Sequence, residues 1–247
     1  MKKKLFFSIA TICICIASCY KKEHQDDLDR PGIALTFDDR SIDNWVKYLP
    51  LLDSFGAKAT FYISSYHMLS PQQKNQLREI KNHGHEIGYH TTFHNNLCEF
   101  MNRCGIDDLL ELEIYQDLKK MNRDGYFPVS FAYPYGAHNL YLDNQLLSIF
   151  KSVRALNGTH DLEKSVAGKM AHPVLYALGM DNNSRGISTI EKLIELANSK
   201  HRSLILVGHQ IENPSAKFQV PYQKLKSILQ KTKDLNMKFY TVAEVCE

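Results

Sequence analysis

The stretch IALTFDD, residues 33–39, is a short apolar run that ends in two adjacent carboxylates, Asp38 and Asp39. Such a run, bounded by polar residues, is typical of a buried strand. Two further signatures, HTTFH at residues 90–94 and LVGHQ at residues 206–210, also stand at the ends of apolar runs. HTTFH alone is a weak motif, but the three signatures together predict a hydrolytic metal site.

Short apolar runs that are followed at once by reactive or turn-forming residues recur along the chain. They lie at residues 33–37, 86–89, 129–132 and 203–207, and each predicts a strand. In a parallel β/α barrel the strands point their carboxyl ends at one shared mouth, and the loops that follow carry the chemistry. The runs therefore predict a barrel with the polar signatures at its mouth.

Helical patterns alternate with these strands. Apolar spacing predicts a helix at residues 44–54, interrupted near Pro50, and further helices at residues 107–123, 187–200 and 222–235, with another strand at 59–63. Ser70 and Pro71 provide an N-cap and a first-turn proline for one more helix, which Gly84 ends. The alternation predicts parallel strands joined by helices, hence an α/β fold.

Asp39, His90 and His94 together offer one carboxylate oxygen and two imidazole nitrogens. Three protein ligands leave a zinc ion one open position, as in catalytic zinc sites. If His90 and His94 begin a helical turn, their four-residue spacing places both rings on one face. The pair alone is better explained as capping or core histidines, but the acidic pair and the distant His209 favour a metal site.

Asp38 is the aspartate left free to act as a general base while Asp39 binds the metal. A helix N-cap with a solvated neighbour is the alternative explanation of two adjacent aspartates after a strand. His209 follows the apolar run at 203–207, where it is placed to protonate a leaving amine. Asp38 and His209 are therefore the candidate catalytic pair.

Four motifs resemble those of the NodB-homology polysaccharide deacetylases, carbohydrate esterase family four. They are IALTFDD, GHEIGYHTTFH, FAYPYG and LILVGH, in the family's order, and the resemblance spans residues 32–245. It implies a distorted, incomplete (β/α) barrel whose groove binds an N-acetylated sugar polymer, with the base, acid and metal ligands named above and Zn²⁺ as the expected metal. It also implies that the Tyr135 backbone amide, beside Pro134, stabilises the oxyanion and helps to bind substrate.

One position departs from the family's pattern. The third motif usually carries an arginine where this chain has Ala132, and that arginine orients and tunes the catalytic aspartate. We expect Arg154 to supply the missing charge and Asp181 to orient His209. For either residue, a plain surface ion pair is the alternative interpretation.

Aromatic residues cluster near two of the motifs. Tyr133, Tyr135 and Tyr141 surround the third motif, and Trp45 follows the first. Flat rings can stack on sugar faces, so Tyr133 and Trp45 are candidates for the groove. Aromatic residues at strand ends more often pack in the core, and that alternative stays open.

The first residues resemble an export signal. Residues 2–4 are lysines, residues 5–17 are an apolar stretch, and IASC at residues 16–19 resembles a bacterial lipobox. We expect a lipoprotein-type signal peptide at residues 1–18, a lipid on Cys19, a tether at residues 19–30 and a catalytic domain at residues 31–247. The lipid would anchor the chain to the membrane of a bacterial cell envelope, on the periplasmic face or the outer surface. An ordinary signal peptide with a chance cysteine is the alternative.

Charge and cysteine content restrict the partners. Residues 1–18 contain three lysines and no acidic residue, so residues 19–247 carry 27 basic and 27 acidic side chains. This balance gives no reason to expect nucleic-acid binding, which needs clustered Lys and Arg.

In an oxidising envelope Cys98 and Cys104 could form a disulfide, and the sequence leaves that pairing open.

The expected activity is removal of N-acetyl groups from an amino-sugar polymer such as poly-N-acetylglucosamine, peptidoglycan or a chitin-like chain. Two alternatives stay open. An O-acetyl esterase acting on polysaccharide could use the same site, because the site chemistry barely distinguishes amides from esters. A saccharide-binding envelope lipoprotein with weakened catalysis is favoured by Ala132 alone.

Overall fold

The computed structural model describes residues 30–168, 173–212 and 217–246. Pro31–Glu247 form one compact unit. The signal peptide, Cys19 and all of the tether except Arg30 lie outside the described residues, so these expectations remain predictions. Within the described ranges, no helix has the length and apolar character needed to cross a membrane.

Seven parallel strands form a closed barrel, and their order around it follows the chain. The strands are β1 (Gly32–Asp39), β2 (Ala59–Ile63), β3 (Glu86–Tyr89), β4 (Ser130–Ala132), β5 (Ser152–Leu156), β7 (Val174–Gly179) and β8 (Ser203–Gly208), while the short β6 (Val166–Ala167) pairs antiparallel with β8. β1 pairs with β8 as well as with β2, which closes the barrel. The predicted parallel β/α barrel is thereby confirmed, with seven parallel strands rather than the eight of a complete one.

Three short strands lie at the margins of this barrel. β9 (Gln210–Glu212) and β10 (Gln219–Pro221) form a separate two-stranded sheet just beyond β8. β11 (Lys238–Phe239) pairs with the first two residues of β1. The separate sheet adjoins the carboxyl end of β8, and β11 supports the amino end of β1.

Helices follow most of the strands, as the alternating pattern predicts. They are α1 (Ile42–Ser54), α2 (Pro71–Asn82), α3 (Leu97–Leu109), α4 (Gln116–Arg123), α5 (Leu140–Leu147), α6 (Ile187–Ser199), α7 (Tyr222–Asp234) and α8 (Val242–Val245). Ser70 caps α2 through a reciprocal capping box with Gln73. Between β5 and β7 the described residues contain only a 3-10 turn, Leu162–Ser165, and β6. The barrel is therefore unevenly covered, which agrees with the expected distortion.

Two helical predictions need correction. The predicted break near Pro50 does not occur. α1 continues through Pro50, which lies on its exposed face. The helix predicted at residues 107–123 is present after a break at Gly105, where φ is 83°, but it contains a π-helix at Leu110–Tyr115 between the end of α3 and α4. Apolar spacing cannot reveal a π-helix, since one added residue per turn only shifts the buried face.

Side-chain alternation along the strands divides the core into two layers. Ile33, Leu35 and Phe37 belong to the large apolar cluster that includes the helices' buried residues, whereas Ala34 belongs to a smaller cluster. Because neighbouring strand residues point to opposite faces, Thr36 and Asp38 share the interior face with Ala34. The polar end of β1 is thus directed into the barrel mouth by the same alternation that buries its apolar residues.

The predicted option of a Cys98–Cys104 disulfide is wrong, because both cysteines are free thiols. Cys98 and Cys104 lie on α3, six residues apart. Six residues of α-helix rise about 9 Å, which exceeds the limit of about 7 Å between the Cα atoms of a disulfide.

Candidate metal centre

Asp38 and Asp39 end β1 at the barrel mouth, where they occupy different environments. Asp38 is buried and points inward, whereas Asp39 is partly exposed. Asp39 has a positive φ of 84°, which turns its side chain out of the strict strand alternation. Both carboxylates consequently lie within 4 Å of the same His90 Nε2 atom, at 3.9 Å for Asp38 and 3.6 Å for Asp39.

His90 and His94 lie on the loop that follows β3, not on the helical turn considered from the sequence. Thr91 and His94 adopt left-handed backbone conformations, with φ of 68° and 59°. These two residues curl the loop so that the imidazole centroids lie 4.8 Å apart. The two rings do face one point, but loop curvature rather than helical periodicity places them there.

Asp39, His90 and His94 fit a metal ion. Their donor atoms all lie within 4.8 Å of one another, and His94 Nε2 is 3.2 Å from Asp39 Oδ1. Two ligands about 2.1 Å from a tetrahedral zinc ion are about 3.4 Å apart, so these separations match the requirement. Two imidazoles and one carboxylate are also a donor set that zinc accepts.

The hydrogen bonding of His90 prepares it to act as a ligand. Its Nδ1 lies 2.8 Å from the Ala132 carbonyl oxygen, which can only accept a hydrogen bond. Nδ1 therefore carries the hydrogen, and Nε2 presents its lone pair to Asp39 and His94. Complete burial lowers the pKa of His90 to about 4, so the ring is neutral near pH 7.

Asp39 is ionised under the same conditions. Burial by itself raises the pKa of Asp39, but the hydrogen bond with His94 and the neighbouring His90 and His209 outweigh it. The pKa is consequently lowered to about 2. An anionic oxygen and a neutral imidazole are the protonation states that metal binding requires.

Arg154 lies beside Asp38 in the barrel interior. It is fully buried on β5, and its Nη2 donates to Asp38 Oδ1 at 2.6 Å and to Oδ2 at 2.5 Å. Ala132 is the register partner of Arg154 on the adjacent strand. The arginine that the third motif lacks is therefore present one strand away, and the alternative of a surface ion pair is wrong for Arg154.

His209 follows β8 and contacts Asp181, as expected from the sequence. Its Nδ1 lies 2.7 Å from Asp181 Oδ2, and its backbone N–H donates to Asp181 Oδ1 at 3.2 Å. Asp181 is almost fully buried, so a surface ion pair is again the wrong interpretation. Burial lowers the pKa of His209, but the hydrogen bond with Asp181 and the charge of Asp38 outweigh it, so the pKa is raised.

Pro134 and Tyr135 form a 3-10 turn, Pro134–Gly136, directly after β4. Pro134 is buried, whereas the Tyr135 side chain is 66% exposed and packs edge-on against His94, with ring centroids 4.9 Å apart. Tyr135 has a φ of 59°. The turn therefore places Tyr135 beside the candidate metal ligands.

Two aromatic residues proposed for the groove lie in the core instead. Trp45 is fully buried, and its Nε1–H donates to the His209 carbonyl oxygen at 2.8 Å. Tyr133 is also fully buried and donates its hydroxyl hydrogen to Asp143 at 2.8 Å. Both rings have a polar partner in the interior, so packing and hydrogen bonding decide their place. Trp45 fixes the backbone of His209 rather than contacting solvent.

A cleft of about 390 Å³ opens beside His209 at the carboxyl ends of β5, β7 and β8. Its wall includes Phe218, a residue that sequence reasoning missed, whose exposed ring packs edge-on against His209. Phe218 lies just before β10 and far along the chain from the third motif, so no local pattern pointed to it. An open cleft with apolar walls, a few polar groups and titratable side chains beside it is typical of a small-molecule binding site.

A parallel barrel whose mouth combines a possible metal site with a buried carboxylate and a carboxylate-bound histidine is typical of metal-dependent hydrolases. A sequence model of the family "Polysaccharide deacetylase" matches residues 25–149, about half of the chain. The chain therefore belongs to the polysaccharide deacetylase family.

Comparisons with individual proteins agree with this membership. The chain is 26% identical over 211 residues to a chitin deacetylase of Arthroderma benhamiae, covering 77% of this chain and 54% of that protein. It is 32% identical over 109 residues to a probable peptidoglycan-N-acetylglucosamine deacetylase of the same fungus, covering 43% of this chain and 24% of that protein. The chain thus spans about a quarter to a half of the length of these relatives.

A solved structure shows the same fold. Peptidoglycan deacetylase PdaC from Bacillus subtilis matches with a TM-score of 0.55 and 20% identity, covering 89% of this chain and 91% of that one. The predicted resemblance to the family and the predicted fold are both confirmed.

Proposed function

We propose that this chain is a metal-dependent hydrolase that removes N-acetyl groups from an amino-sugar polymer, such as poly-N-acetylglucosamine, peptidoglycan or a chitin-like chain. Three pairings at one barrel mouth carry the proposal: Asp39 with the two histidines, Asp38 with Arg154, and His209 with Asp181. Family membership and the names of the relatives support the same reaction.

Asp39, His90 and His94 are the residues proposed to hold the metal, most simply Zn²⁺. When bound, such an ion lowers the pKa of a coordinated water and polarises a carbonyl oxygen. Asp38 accepts the proton of the attacking water, and Arg154 holds its carboxylate in place through hydrogen bonds. His209 donates a proton to the departing amine, with Asp181 orienting the ring. The backbone N–H of Tyr135 donates to the developing oxyanion.

An acetate-release assay tests this function. The chain from residue 20 onward is purified, stripped of metal by chelation, and supplied with N-acetylglucosamine oligomers with and without zinc. We expect release only with zinc. Asp38→Asn should lose about 100-fold or more of the rate and still bind zinc, whereas Asp39→Asn should lose zinc binding. Tight zinc binding without release from any acetylated glycan would contradict the proposed activity.

O-acetyl ester hydrolysis is the alternative reaction for the same groups. An alcohol leaving group needs less protonation than an amine, so His209→Ala should reduce amide hydrolysis much more than ester hydrolysis. Equal losses on the two substrates would argue against the amidase. The saccharide-binding alternative rested on Ala132, the position where the family usually has an arginine. It loses that support, because Arg154 lies next to Ala132 on the adjacent strand.

We further propose that residues 1–18 are a lipoprotein signal peptide, that Cys19 carries lipid, and that residues 19–30 tether a catalytic domain at 31–247 to a bacterial envelope membrane. The lysines, the apolar stretch and the IASC tetrad support this. In cells, Cys19→Ser should move the chain from the membrane fraction to the soluble fraction. Retention of the Cys19→Ser chain in membranes would contradict the lipid anchor.

A further inference from the structure

Glu113 is a fully buried carboxylate on the π-helix Leu110–Tyr115. Removing a carboxylate from water is costly unless hydrogen bonds satisfy its oxygens. π-helices within longer helical segments are rare, and many of those known lie at functional sites. We therefore looked for the groups that donate hydrogen bonds to the Glu113 carboxylate.

These groups belong to the loop that carries His94. The backbone N–H of Phe93 donates to Glu113 Oε2 at 3.0 Å, and the side-chain amide of Asn95 donates to Oε1. The two residues flank His94, so one carboxylate holds both of its neighbours. The backbone N–H of Thr92 adds a bond to the Glu113 carbonyl oxygen at 2.9 Å.

The loop adopts a conformation that it would not hold unaided. Left-handed backbone geometry is unfavourable for a residue with a side chain, and Thr91 and His94 both adopt it. Thr91 Oγ1 accepts the His94 N–H at 2.9 Å, which fixes the loop from within. Such strained conformations persist only where contacts with the surrounding structure stabilise them. Glu113 supplies those contacts from outside the loop.

We propose that Glu113 is a positioning residue for the metal centre. Its carboxylate fixes residues 93 and 95 and thereby aims the His94 imidazole at Asp39 and His90 before metal binds. The inference rests on the proposed function, because it takes these three residues as the metal ligands. Groups that orient a ligand raise metal affinity, since less ordering remains to be done on binding.

Zinc titration of the metal-free full chain, purified in detergent, tests this role by calorimetry. Glu113→Gln retains the shape of the side chain but turns an amide group towards one of the two donors. We expect its zinc dissociation constant to rise about 10- to 100-fold. Thermal unfolding with and without zinc provides a second readout, and the increase in Tm on adding zinc should shrink.

Glu86→Gln is the matched control. Glu86 accepts hydrogen bonds from Ser130, Thr60 and the Ala243 N–H at the start of β3, the opposite end of the barrel. This variant should lower Tm yet keep zinc affinity within about twofold of the parent chain. Asn95→Ala is the second test if Glu113→Gln does not fold. It removes one donor, so zinc affinity should fall by about 3- to 10-fold.

The outcomes separate this inference from the proposed function. Suppose that the parent chain binds zinc and that the variant binds it equally well, the variant being Glu113→Gln or, if that does not fold, Asn95→Ala. Glu113 is then not a positioning residue, and the proposed metal centre is unaffected. Equal weakening in Glu86→Gln would also overturn the inference, because it would indicate general loosening. Failure of the parent chain to bind zinc would overturn the metal centre itself.

Discussion

Asp38 and Arg154 illustrate how single residues define the site. Burying a carboxylate at the barrel mouth costs free energy unless a cation or hydrogen bonds compensate it. Arg154 provides that compensation from β5, and its guanidinium also lies 5.2 Å from the ring of Tyr62. Ala132, the register partner of Arg154 on the adjacent strand, has only a methyl side chain.

Arg154→Ala should reduce kcat about 100-fold, because Asp38 loses both its charge partner and its orientation. It should also lower the free energy of unfolding by about 3–5 kcal/mol, the usual cost of leaving one member of a buried ion pair without the other. Steady-state acetate release and urea denaturation measure the two effects.

The double variant Ala132→Arg, Arg154→Ala tests whether the guanidinium can act from β4 as well as from β5. Positions 132 and 154 are register partners, so an arginine at 132 can reach the space that Arg154 vacates. We expect the double variant to recover at least part of the lost kcat. A double variant no faster than Arg154→Ala would show that the charge cannot be supplied from β4.

If His209 is the general acid, as we propose, its pairing with Asp181 should determine the alkaline limit of activity. A general acid must hold its proton, and Asp181 contributes to raising the pKa of His209 above its ordinary value of 6.5. The fall of kcat on the alkaline side should therefore lie above pH 6.5. Asp181→Asn should move this fall to lower pH and reduce kcat about 10-fold, as kcat measured from pH 5 to pH 9 would show. An unmoved alkaline limb would contradict this role for Asp181.

At the scale of elements, loops and turns at strand ends position the reactive groups. The 3-10 turn Pro134–Gly136 presents Tyr135 to His94, and it fits only because Gly136 has no side chain. A Cβ atom at Gly136 would lie 2.5 Å from the backbone nitrogen of Leu156 on β5. The turn is therefore set by its close packing against the neighbouring strand.

Gly136→Ala should combine a steric clash with the strain of a φ of 66°, and should cost about 2 kcal/mol or more in unfolding free energy. Displacing Tyr135 should lower kcat about 10-fold or more while zinc still binds. Gly84→Ala is the control, because Gly84 has a φ of 83° and nothing within 4 Å of its Cβ position. It should cost about 1 kcal/mol and leave kcat unchanged. Equal kcat in the two variants would contradict the packing argument.

At the scale of the whole molecule, buried neutral histidines make the fold sensitive to acid. Burial lowers the pKa of both His85 and His90 to about 4. His85 Nδ1 accepts the Ala59 N–H at 3.1 Å, which requires that nitrogen to be unprotonated. Between pH 4 and pH 6.5 the unfolded chain therefore binds more protons than the folded one at these two sites.

The His85 contribution to the free energy of unfolding should fall as pH drops from 6.5 to 4, by about 1.4 kcal/mol per pH unit for a fully linked proton. His85→Gln keeps an acceptor but removes the titration, so its stability should depend less steeply on pH across this window. Urea denaturation of the metal-free chain at several pH values measures the slopes. Parallel slopes for the parent chain and His85→Gln would show that His85 is not buried in its neutral form.

Local pattern accounts for much of the fold and part of the site. The apolar runs that end in DD, HTTFH and GH sit on strands whose carboxyl ends meet at one mouth, so the metal ligands and Asp38 and His209 were identifiable as candidates. Strand alternation and helical spacing are properties of neighbouring residues, which is why they can be read without tertiary information.

What the sequence alone determined is therefore the parallel barrel and the set of polar residues at its mouth. Only the tertiary structure decided that Arg154 faces Asp38, 116 residues away in the chain, that Trp45 holds the His209 backbone instead of lining a groove, and that Glu113 supports the His94 loop. These contacts depend on strand register, on the π-helix and on left-handed loop residues. Each of these is fixed by long-range packing, whereas sequence patterns report only the periodicity of neighbouring residues.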